Sequence, residues 1–95
     1  MIQDNVRNFL FERGFPNDVA AAVARRCERK IKNGAIPGVS NLTALRYAEM
    51  KPGPLIRAIA FGGNFGGDAL TGDPRPEELR EAVELLARDE LKGMF

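Results

Sequence analysis

The sequence contains no histidine and no tryptophan, and only one cysteine, Cys27. Without histidine it lacks the commonest general base and the commonest metal ligand. A single cysteine allows no disulfide within the chain, and any thiolate centre would stand alone. Apolar runs reach only a few residues, far short of the ~20 needed to span a bilayer. The opening Met1-Ile2-Gln3-Asp4-Asn5 has neither a basic nor an apolar signal segment, so no signal peptide is expected. Together these absences favour a cytoplasmic binding module over an enzyme, with no metal, cofactor or membrane contact expected.

The 95 residues suit a single helical domain spanning 1–95. A chain of this size buries about 60–65% of its unfolded surface, enough for one modest core. Net charge is only +1, from 14 basic and 13 acidic residues, which argues against strong non-specific binding to nucleic acid. The charges are nevertheless segregated. Residues 19–36 carry Arg25, Arg26, Arg29, Lys30 and Lys32 against Glu28 alone, a net of +4. Residues 68–95 carry eight acids against Arg75, Arg80, Arg88 and Lys92, a net of −4. Either the two segments face each other or they offer two distinct surfaces.

Periodicity predicts four to five short helices and no convincing strand pair, hence an all-α bundle. From Gln3 to Arg13, Val6, Phe9 and Leu10 form one stripe with Phe11 off it, and Gly14 suits the left-handed stop. Asn17 or Asp18 is expected to cap a second helix reaching Asn33-Gly34. Its Val19, Val23, Cys27 and Ile31 recur every four residues beside Ala20 and Ala24, an apolar arc of about 140°. Arg25, Arg29 and Lys32 fall opposite that arc, and Arg26 and Lys30 border it. Reversing Arg25 and Arg29 to glutamate is therefore expected to spare the fold. Ser40 or Asn41 caps a third helix with Leu42, Leu45 and Ala48 as its core residues. Pro54 is expected as the first residue of a helix over 55–61, with a strand as the competing reading. Asp73 is expected to cap the last helix, cored by Leu79, Ala82, Val83 and Leu86.

Four features are candidates for function. The Gly-rich loop before the last helix repeats Phe-Gly-Gly, and five of residues 62–72 are glycine. It lacks the Gly-Lys-Ser/Thr of a phosphate loop. It reads as a plain connector or as a mount for Phe61 and Phe65 as aromatic anchors, one of them, Phe61 rather than Phe65, in the core. The second candidate is the basic face of helix two, which suits a protein partner with an acidic surface. The third is Phe11, off the core stripe and so placed to dock. A carboxylate run, Glu77, Glu78, Glu81 and Glu84, reads as a solvated face. The favoured function is a non-enzymatic protein-binding module, a regulator, inhibitor or adaptor, using Arg25, Arg26, Arg29, Lys30, Lys32, Phe11, Phe61 and Phe65. The alternative is a nucleic-acid-binding protein contacting phosphates through Arg25, Arg29, Lys30, Lys32 and Arg46. Met94-Phe95 and the exposed aromatics equally suit a homodimer.

The Gly14-Phe15 junction is similar to the turn between the first two helices of ubiquitin-associated-like modules, over about the first 30 residues. Arg13 departs from that family's apolar residue and the third helix arrives late, so the family is not assigned.

Overall fold

In the computed structural model, which describes residues 2–34, 36, 39–61 and 73–92, five helices account for most of the described residues. They are α1 (Ile2–Glu12), α2 (Asn17–Lys32), α3 (Asn41–Met50), α4 (Pro52–Phe61) and α5 (Pro76–Lys92). Among the described residues there is no strand, so residues 55–61 are helical. The Gly-rich loop at 62–72, with Phe65, and the Met94-Phe95 tail lie outside the described residues.

Local chemistry sets the helix ends. At the close of α1, Gly14 adopts φ 89°. Phe15 N–H donates to the Leu10 carbonyl at 3.2 Å and Gly14 N–H to that of Phe11 at 3.1 Å. These are the paired bonds of a Schellman stop, which needs a residue free to take positive φ. Gly34, at φ 62°, closes α2 in the same sense. The start of α2 differs from expectation. Pro16 stands at the cap with an extended backbone, and Asn17 is already helical. Asp18 instead accepts Val19 N–H at 2.9 Å. Ser40 caps α3 as expected, its hydroxyl oxygen accepting Thr43 N–H at 3.2 Å.

The fourth helix begins at Pro52, two residues before the expected Pro54. Both prolines sit in its first turn, where N–H groups have no intrahelical partner, so neither leaves a donor unsatisfied. That permits Pro52, Gly53 and Pro54 to be buried. A Cβ at Gly53 would stand 3.1 Å from Pro74 Cδ and 3.3 Å from Phe9 Cζ, so only glycine fits without displacing them. The fifth helix is capped at Arg75, not Asp73. Glu78 reaches back to accept Arg75 N–H at 3.3 Å, half of a capping box.

The core has two clusters. One joins Val6 and Leu10 of α1, Ala20, Ala22, Val23, Ala24 and Cys27 of α2, Ile56 of α4, and the apolar stripe of α5. The other joins Ile31 and Ile36 to Ala44 and Ala48 of α3 and Leu55 of α4. Ile2 and Ile59 pack against both. Helix α2 packs on α1 along one side and on α5 along another.

Candidate functional site: the outward face of helix three

The basic residues of α2 do not form one open face. Ala22 is fully buried and lies three and seven positions before Arg25 and Arg29, so it carries the buried surface round to their side of the helix. Both arginines there meet Glu90 of α5: Arg25 Nε stands 3.6 Å from Glu90 Oε2, and Arg29 Nη2 bonds Glu90 Oε1. The Glu90 side chain is 9% exposed, against 41% for Arg25 and 52% for Arg29. Of the two arrangements open to the segregated charges, this part of the chain takes the internal one. Lys32 pairs with Glu28 at 3.6 Å. Arg26 and Lys30 are half-buried, and Arg26 Nε is buried with no hydrogen-bond partner among the described residues.

The aromatic candidates do not share an element. Phe11 is exposed, with the ion-paired Asp4 and Arg7 on the same side of α1. Phe61 is exposed at the last residue of α4. The expectation that it belongs to the core is corrected, because α4 fills its inward side with Leu55, Ile56 and Ala58. Phe15 packs against the first core cluster at the base of α1 and α2.

Helix α3 reverses the expected pattern. Leu42 and Leu45, expected in the core, are 62% and 40% exposed, and Met50 is 78% exposed. Ala48 is buried as expected, and Ala44 rather than a leucine joins it. Small residues let a helix approach its neighbours closely, and α3 thereby turns its largest apolar side chains outward. At 100° per residue, Leu42, Leu45, Arg46, Glu49 and Met50 share that outer side. Between α1 and α3 runs a furrow of two open hollows that share Asn5 and Glu49. One, of about 310 Å³, is bordered by Ile2, Leu42, Leu45 and Ala48. The other, of about 560 Å³, is more polar, with Glu12, Arg13, Lys51 and Asp73 on its walls. Sequence reasoning missed this surface. Its signal was the pair Ala44 and Ala48, four residues apart and so on one helical face, with less bulk than Leu42 and Leu45.

Cys27 is fully buried on α2, where desolvation pushes its thiol from 9.0 up to about 12. Below pH 9 folded and unfolded chains both hold the proton, so Cys27 adds no pH dependence. Between 9 and about 12 the unfolded chain releases it and the folded chain does not, so stability falls as pH rises. The melting temperature of the wild type should therefore decline more steeply above pH ~9 than that of Cys27→Ala. Parallel declines would place the thiol in contact with water.

Among the described residues no three His, Cys, Asp or Glu side chains converge as a metal site requires, and no helix is long and apolar enough to cross a membrane. No protein-family model, curated protein or solved structure matches this chain.

Proposed function

We propose that this chain is a protein-binding module, of the regulator, inhibitor or adaptor kind, that docks through the outward face of α3. The observation that carries the reading is the inversion of α3, with Leu42, Leu45 and Met50 in solvent and Ala44 and Ala48 inside. Burying a leucine or methionine on a partner is worth about 1.5–3 kcal/mol relative to leaving it exposed. Large apolar side chains left exposed together on one helix face are a mark of such a surface. Affinity capture from the source cell, with nuclease present, tests it. Wild type should retain a protein that Leu45→Glu loses by at least about tenfold, equivalent to ~1.4 kcal/mol. Equal retention by the variant would exclude α3.

Binding of nucleic acid is the second reading, favoured by the exposure of Lys32 on α2 and Arg46 on α3. Glu28 and Glu90 weigh against it, since they occupy the cations beside them. Phosphate contacts would make log affinity fall against log salt by about 0.9 per contact. Docking on α3 would be much less sensitive to salt.

A further inference from the structure

Where the end of α1 meets the start of α5, the surface is hollowed by about 300 Å³. The lining comes from Arg13 and Phe15 after α1, from Pro74 just before α5, and from Pro76, Leu79 and Arg80 in the first turns of α5. No residue of α3 lines it, so it stands apart from the docking face. Its only charged residues are the two arginines. No carboxylate among the described residues is within ion-pair reach of either one. Glu12 and Asp73 belong to the more polar neighbouring hollow, which shares Arg13 with this one. Glu78 is turned to Arg75 N–H and to Arg57. Arg13 is nevertheless held in place. Its guanidinium carbon lies 3.6 Å from the centroid of the Phe9 ring, and Nη1 donates to the Phe9 carbonyl at 3.0 Å. Those contacts fix the guanidinium without neutralising it, and leave its other N–H groups available.

We propose that this hollow binds a small anion carried on an apolar body, an aryl or alkyl carboxylate or phosphate. The anion is held by Arg13 and Arg80, and the body lies against Phe15, Leu79 and the two prolines. Guanidinium groups present paired N–H donors that match carboxylate and phosphate oxygens. The prolines have no N–H of their own, so the arginine side chains are the donors that set where the charge sits. Apolar walls with a few polar groups to orient the ligand are the usual make-up of small-molecule sites, whose volumes begin at about 300 Å³. A hollow at that lower limit covers little of its ligand, so a dissociation constant in the millimolar range is expected.

Titration of the purified chain with phenyl phosphate, benzoate, inorganic phosphate and benzyl alcohol, followed by the amide shifts in NMR spectra, tests the proposal. Phenyl phosphate or benzoate should shift the amides of Arg13, Phe15, Leu79 and Arg80 saturably, and the tighter of the two identifies the anion. Inorganic phosphate lacks the body and benzyl alcohol lacks the charge, so each should bind at least about tenfold more weakly. Arg13→Gln and Arg80→Gln should each weaken binding at least about threefold by removing a charge-assisted hydrogen bond. Arg88→Gln, on the same helix but outside the hollow, should leave it unchanged. Circular dichroism checks that every variant stays helical. No saturable shift at those four amides with either phenyl phosphate or benzoate overturns the proposal. So does benzyl alcohol binding as tightly as the anions, or full affinity in both arginine variants. Inorganic phosphate binding as tightly as phenyl phosphate would mean an adventitious ion only, and overturns it too. Docking through α3 stands or falls separately, because no variant here touches that helix.

Discussion

Replacing Arg25 and Arg29 together by glutamate is expected to cost about 3–5 kcal/mol of folding stability, the penalty for leaving a buried charge unpaired. Each oxygen of the Glu90 carboxylate faces one of these arginines. The double reversal would set three carboxylates together, one of them only 9% exposed. Against a total of about 5–14 kcal/mol for a domain of this length, that loss brings the variant close to unfolding. Removing Glu90 instead should cost much less. Arg25 and Arg29 are already about half exposed and can return to water, as in surface pairs worth about 0–1 kcal/mol. Adding Glu90→Ala to the double reversal should therefore recover stability. Urea unfolding gives all three values. A double reversal as stable as wild type would mean that Glu90 is hydrated in solution.

The second large effect separates two leucine environments. Leu55→Ala should destabilise by about 2–5 kcal/mol, since the side chain is fully buried in the cluster under α3 and its loss leaves a cavity. In a domain of this size that lowers the melting temperature by roughly 10 °C or more. Leu42→Ala, 62% exposed on the far side of α3, should stay within about 0.5 kcal/mol of wild type. If that variant melts as low as Leu55→Ala, then α3 is rotated about its axis.

These two results bear on what the sequence discloses. The helical class, the glycine stops at Gly14 and Gly34, the Ser40 cap and the cores of α1 and α5 are legible because each follows from a local rule of spacing or backbone freedom. Two of the failures lie in the helical wheel. A wheel assigns the bulkiest stripe to the interior and gives each helix one buried side. Helix α3 breaks the first assumption, because Ala44 and Ala48 permit an approach to its neighbours that leucines would prevent. Helix α2 breaks the second, because it is packed on two sides and Ala22, not a large residue, marks the extra one. Which arginine meets Glu90 depends on how α2 and α5 are placed, and no local pattern encodes a pair 61 positions apart. The starts of α4 and α5 each lie two residues from the expected ones, because each stretch offers two prolines suited to a first turn, Pro52 and Pro54 in one and Pro74 and Pro76 in the other.

The two-part core has an energetic consequence of its own. Leu55 and Ile56 are consecutive, yet each belongs to a different cluster, so one short helix holds both halves in register. The half containing α3 is built from two alanines, two isoleucines and one leucine, a thinner apolar mass than the other. Subglobal opening should therefore begin there, with α1, α2 and α5 keeping their mutual packing while α3 lifts away. Native protection against solvent exchange is in this way distributed unevenly along the chain, lowest in the element whose outer face carries the exposed leucines.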